Sequence, residues 1–234
     1  GVIPNYVKED KIALLLDAGL NQVRMGIQSG SERILEFYRR PTTLERIKES
    51  AAIINKYRKY MIPPQYDLIV DNPIETPDDT KATIDLIYEM PRPYTLNVYS
   101  LRVIPNTQLA KDIEGKGFDI PSITKYYFAG YNKTLANCLM FIIPFWKMPR
   151  WLYKILRKKI YPILTEQPRY PILFMFARTG FFIKNYLDHM RLLDFTYSLG
   201  KVGYYLTKFR IVKIWQHLFW KRYHLVKKNP KVQT

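Results

Sequence analysis

The 234-residue sequence predicts an α/β fold with parallel strands, followed by a basic, helical second half. Three observations carry this expectation. Helix-like and strand-like periodicities alternate through the first 118 residues, and such alternation argues for parallel strands joined by helical crossovers. Each strand-like run ends in turn-forming polar residues. The charge also divides: residues 1–120 hold 16 Lys and Arg against 17 Asp and Glu, and residues 121–234 hold 21 against 3. A net −1 thus adjoins a net +18, which predicts two units, 1–120 and 121–234.

The elements follow in order. Lys8 to Ala18 reads as a helix, with Ile12, Leu14, Leu15 and Ala18 apolar and Gly19 as its stop. Val23 to Ile27 reads as a short strand, and Gln28-Ser29-Gly30-Ser31-Glu32 leads into a helix through Leu35. Thr42 and Glu45 fit a capping box, with Thr42 as the cap of a helix that places Leu44, Ile47, Ala51 and Ile54 on one side. Tyr66 to Val70 is the next strand, Asp71 to Glu75 its turn, and Pro77 to about Glu89 the following helix. Thr76 suits its N-cap and Pro77 its first turn. Leu96 to Leu101 is the third strand, followed by Pro105-Asn106-Thr107 and a helix from about Gln108 to Gly115.

In parallel α/β folds, ligands sit outside the carboxyl ends of the strands. Three such ends are Gln28 to Ser31, Asp71 to Glu75, and Arg102 to Thr107. Tight turns and helix caps account for any one polar loop. Three at one edge point to a ligand site.

The segments RMGIQSGSERIL (Arg24–Leu35), YDLIVDNPIET (Tyr66–Thr76) and YSLRVIPNTQL (Tyr99–Leu109) occur in order and at suitable separations. Together they resemble the later half of the radical S-adenosylmethionine barrel, in the branch often preceded by a cobalamin-binding domain. The resemblance implies an incomplete parallel (β/α) barrel, with these strands as the fourth, fifth and sixth, followed by the α-helical basic region. It also implies an enzyme using S-adenosylmethionine and a [4Fe–4S] cluster, with cobalamin as a further cofactor. The implied chemistry is a 5′-deoxyadenosyl radical or methyl transfer to an unactivated carbon. By the same resemblance, Gln28 and Ser29 lie near the cofactor's ribose or carboxylate, while Ile69, Asp71 and Glu75 mark the adenine region.

The chain departs from the pattern in places. Relatives often carry Gly-x-Pro-Gly-Glu where this chain has Asp71-Asn72-Pro73-Ile74-Glu75, and Pro-Gly-Thr where it has Pro105-Asn106-Thr107. Asn106 tolerates the left-handed backbone that such a turn asks of Gly. The Cys-x3-Cys-x2-Cys loop that holds the cluster is absent, since Cys138 is the sole cysteine. The expectation is a chain that starts inside a longer protein, with cluster ligands upstream, an open outer edge on its first strand, and no radical activity by itself. The alternative is a non-catalytic membrane-surface or RNA-binding module on a decayed barrel.

From about Pro121, aromatics and basic residues intermingle; this half holds 25 of the 35 Phe, Trp and Tyr. The runs Leu139–Trp146 and Tyr170–Leu187 are too short or too interrupted to span a bilayer. Trp151, Leu152, Ile155, Leu156 and Ile160 predict one apolar helix face beside Lys154, Arg157, Lys158 and Lys159. Such helices suit an anionic membrane surface, with Trp146, Trp151, Trp215 and Trp220 as apolar anchors. This predicts a cytoplasmic protein peripheral at the inner face of the membrane, with a small-molecule or lipid-like substrate. A helical cap packed on the barrel is the plainer reading, and nucleic acid ranks below both because the rings lie on apolar stripes. His189, His217 and His224 are too scattered to predict a metal site.

Overall fold

The computed structural model describes residues 1–118, 131–160 and 168–190. Its sheet has three parallel strands in the order β1 (Arg24–Gln28), β2 (Gln65–Val70) and β3 (Thr95–Ser100). Around them run α1 (Glu9–Asp17), α2 (Glu32–Phe37), α3 (Leu44–Lys56), α4 (Pro77–Glu89) and α5 (Gln108–Glu114). Three more helices follow: α6 (Leu135–Ile142), α7 (Arg150–Lys158) and α8 (Pro171–Met190). The α/β class and the parallel strands are as the alternation predicts, and the incomplete sheet is as the resemblance implies.

The two-residue period of a strand sorts its side chains between faces. Met25, Ile27, Tyr66, Leu68, Val70, Leu96 and Val98 are buried in the main apolar core. Arg24, Gly26, Gln28, Gln65, Asp67, Ile69, Asn97 and Tyr99 take the alternate positions. This second face is polar, and several of its side chains remain partly accessible.

Both sheet edges are occupied. Val2 runs parallel to β1, its N–H donating to the Arg24 carbonyl (2.7 Å) and its carbonyl accepting from Gly26 N–H (3.1 Å). The outer edge of β1 is therefore covered at Met25 and not open as expected. At the other side, Thr95 N–H donates to Pro64 and Leu101 N–H to Val70. That parity turns the Tyr94 and Val98 carbonyls outward, where Lys184 Nζ (2.7 Å) and Tyr131 Oη (2.7 Å) donate to them. Side chains from the basic half thus satisfy acceptors that a further strand would take.

Residues of that half share the main core with the sheet. Cys138, Leu139, Phe141, Tyr153 and Phe174 belong to it alongside Leu68 and Ile87. Tyr88 stacks on Tyr153 at 3.9 Å, and Arg157 donates to both Asp85 oxygens at 2.7 and 2.6 Å. The inward side of α7 is consequently Tyr153, with Leu152 and Leu156 packed beside it and Ile160 buried just beyond the helix. Trp151 and Ile155 are exposed, so the single apolar face predicted for this helix is split. Tyr153 reverses the pattern because its hydroxyl donates to Asp85.

A second correction concerns α3. Thr43, not Thr42, is the N-cap, accepting from Arg46 N–H at 3.2 Å. The full capping box belongs to α4, between Thr76 and Asp79. Trp215, Trp220, His217 and His224 lie outside the described residues.

Gly30 shows how tightly the turn after β1 is seated on α4. A Cβ there would lie 2.6 Å from both the Ala82 carbonyl oxygen and the Thr83 Cα. These are backbone atoms of a helix and cannot swing aside. Gly30→Ala should therefore lower stability by about 1–3 kcal/mol, read as a reduced denaturant midpoint; an unchanged midpoint would contradict this packing.

Candidate functional site

The carboxyl ends of the strands share an unusual backbone. Gln28 (φ 72°), Asp71 (φ 59°) and Asn106 (φ 66°) all occupy the left-handed region without being glycine. Such conformations cost free energy and concentrate at functional sites and tight turns. Asn106 adopts the geometry foreseen for it.

Beside these ends lies a cavity of about 620 Å³, lined by Gln28, Asp67, Ile69, Tyr99, Ser100, Leu101, Arg102 and Tyr131. Gln28 is 8% exposed and turns its side chain to this cavity. Gly26 makes room for it: a Cβ at Gly26 would come 2.7 Å from the Gln28 Nε2. Ile69 supplies an apolar wall.

The floor is a polar lattice on the accessible sheet face. Arg24 Nε lies 2.9 Å from both Asp67 oxygens, Asn97 donates to Asp67 at 2.9 Å, and Arg24 also donates to the Tyr99 hydroxyl. Arg24 and Asp67 neutralise each other, so the floor offers hydrogen-bonding groups more than net charge.

The other predicted site residues do not line this cavity. Ser29 points at α4, within 3.1 Å of Thr83 Oγ1, and accepts from Ser31 N–H at 3.1 Å. Asp71 accepts from Asn137 Nδ2 at 3.0 Å and Asn132 N–H at 3.3 Å, joining the end of β2 to the start of α6. Glu75 is buried beside α4. Gln28 and Ile69 meet in the cavity; Ser29, Asp71 and Glu75 form the structure behind it.

Two important residues were not legible in the sequence. Tyr131 closes one side of the cavity from the basic half. Asp79, on the first turn of α4, accepts from Ser31 Oγ, from Thr76 N–H (2.8 Å) and from Arg33. Arg33 also donates to the Ile74 carbonyl at 2.9 Å. Burial opposes the Asp79 charge, yet hydrogen bonds from Arg33, Ser31 and Thr76 hold its carboxyl well below the usual carboxylate range. The Thr76-x-x-Asp79 spacing was the available signal.

Residues 1–87 match the family model for the Radical SAM superfamily. That segment contains β1, β2 and most of α4, and so the loops that Asp79 joins. Among solved structures, the chain is similar to coproporphyrinogen III oxidase (HemN) from Escherichia coli, described as a radical SAM enzyme. The two are 22% identical, with a TM-score of 0.38, over 53% of this chain and 31% of that one. The chain thus spans under a third of that structure's length. No curated protein matches the sequence. Among the described residues, no cluster of His, Cys, Asp and Glu could hold a metal ion, and no helix is long and apolar enough to cross a membrane.

Glu75 generates a pH dependence. Burial, then the charges of Asp79 and Asp71, push its carboxyl up to about 8, against the opposing pull of Arg33. The folded protein therefore holds a proton that the unfolded chain releases near its ordinary value of 4.5. This contribution is complete below that value and is lost as pH rises towards about 8. Chemical denaturation between those limits should show stability falling with pH, and Glu75→Gln should flatten that slope. An equal slope in both proteins would contradict a protonated Glu75.

Proposed function

We propose that the chain supplies the later strands of a radical S-adenosylmethionine enzyme, with the cavity beside β1–β3 as part of its cofactor and substrate site. The match of residues 1–87 carries this reading. The Gln28 side chain, which lines a cavity of about 620 Å³ together with Ile69, supports the placement. Gln28 can donate to a carboxylate or ribose hydroxyl and accept from an amine or hydroxyl, while Ile69 offers an apolar surface to a purine. These residues fit S-adenosylmethionine, which when bound supplies radical or methyl-transfer chemistry. Ser29, Asp71 and Glu75 act behind the site, keeping the loops in place.

A [4Fe–4S] cluster does not fit on this chain's residues. Cys138, the sole cysteine, is fully buried in α6, and burial pushes its thiol up to about 11. The narrower reading, cobalamin-dependent methyl transfer to an unactivated carbon of a lipid-like substrate, rests on the motif resemblance and on the basic, aromatic second half. The division at residue 120 is retained as a difference of role, with 1–120 as scaffold of the site and 121–234 as a covering and docking layer.

Saturation-transfer NMR with S-adenosylhomocysteine tests this, because it detects weak binding. Transfer to the adenine protons is expected in the wild-type chain, and Gln28→Ala should weaken the interaction about tenfold, the loss of one or two hydrogen bonds to a buried amide. No transfer at all would favour the non-catalytic module. Equal transfer in both proteins would place the cofactor elsewhere.

A further inference from the structure

We infer that the outward face of α8 is a docking face for an anionic lipid surface. The face is continuous. Ile172, Met175, Phe176, Ile183 and Leu187 recur at helical spacing and are 69, 57, 64, 52 and 57% exposed. Thr179 completes the stripe, which carries no charge. The opposite side of the helix is fully engaged: Phe174 and Phe181 meet the Phe141 ring edge-on at 5.5 and 5.4 Å. Gly180 receives the Phe145 ring, where a Cβ would lie 2.8 Å from its Cζ. The helix is therefore held rigidly by one side while presenting large apolar side chains on the other. Isolated exposed apolar residues are ordinary, but a stripe along a 20-residue helix is not.

Charge decides the occupant. The described residues 131–160 and 168–190 contain ten Lys and Arg against one acidic residue, Asp188, a net +9. Residues 191–234 hold ten Lys and Arg against Asp194, again +9, so covering the stripe with that segment would bring like charges together. A second copy of the chain, at +17, meets the same repulsion. An anionic bilayer attracts these cations and accepts the apolar side chains below its headgroups. With no spanning helix among the described residues, α8 lies along the surface. At about 1.5 Å per residue, it would extend about 30 Å across it.

The test uses the whole chain and vesicles of phosphatidylcholine, with or without phosphatidylglycerol. Co-sedimentation should be strong on the mixed vesicles, weak on phosphatidylcholine alone, and reduced but not abolished by salt. The double variant Phe176→Ser/Ile183→Ser alters only exposed side chains and should keep the wild-type circular dichroism. It should partition about tenfold more weakly. A second variant, Lys154→Gln/Lys158→Gln, should lose part of the preference for phosphatidylglycerol. Retention of the serine variant equal to wild type would overturn the proposal by placing membrane contact elsewhere. Failure of the wild type to sediment with either vesicle would also overturn it. So would a wild-type dimer that the serine variant dissolves, since the stripe would then be a contact between copies.

Discussion

The Asp79 carboxylate is the constraint on which the strand-end architecture depends. It sits at the positive end of α4, where free N–H groups favour an anion, and it caps that helix through Thr76. The same group accepts from Ser31, the N-cap of α2 at the end of the β1–α2 connection, and from Arg33 in the first turn of α2. One buried charge therefore joins the loops leaving two adjacent strands. Removing one partner of such a buried network costs more than its formation contributes, because the remaining groups are left unsatisfied. Gly30 permits the approach by letting the β1 turn lie on the α4 backbone, and Thr83 fixes it through Ser29 and Gly30.

Around this clamp the two halves of the chain become interdependent. The basic half contributes Tyr131 and Lys184 to the outer edge of β3, Asn132 and Asn137 to Asp71, and Arg157 to Asp85. Burial raises the Asp71 carboxyl while the hydrogen bonds from Asn137 and Asn132 oppose that rise. The helical layer thus stabilises the sheet's edge, closes one side of the cavity through Tyr131, and leaves the outward stripe of α8 uncovered. A cavity, a segment that matches the Radical SAM superfamily model and an apolar surface stripe coexist on one core.

Much of this was legible locally. The alternation of periods predicted the strands and helices within a residue or two, and Thr76-Pro77 marked the start of α4. Asn106 was readable because few residues tolerate positive φ. The capping of α3 was misassigned by one residue because Thr42 and Thr43 are chemically equivalent, and only backbone geometry distinguishes them. The face of α7 was misread because periodicity counts Trp151 and Ile155 as core, whereas a stacked Tyr88–Tyr153 pair and an Asp85–Arg157 bridge decide which side turns inward. The site divided similarly. Gln28 and Ile69 reach the cavity, but Ser29, Asp71 and Glu75 are claimed by partners 54 to 66 residues distant or by burial, which local pattern does not encode.

The central claim is that a single carboxylate couples the β1–α2 and β2–α4 loops into one unit behind the cavity. Native-state amide hydrogen exchange of Asp79→Asn measures this most directly, because it reports local opening segment by segment. The account predicts that residues 29–34 and 74–80 lose protection together, while β2 and α3 stay as protected as in the wild type. Loss confined to residues 76–80, with the β1–α2 loop unchanged, would contradict it.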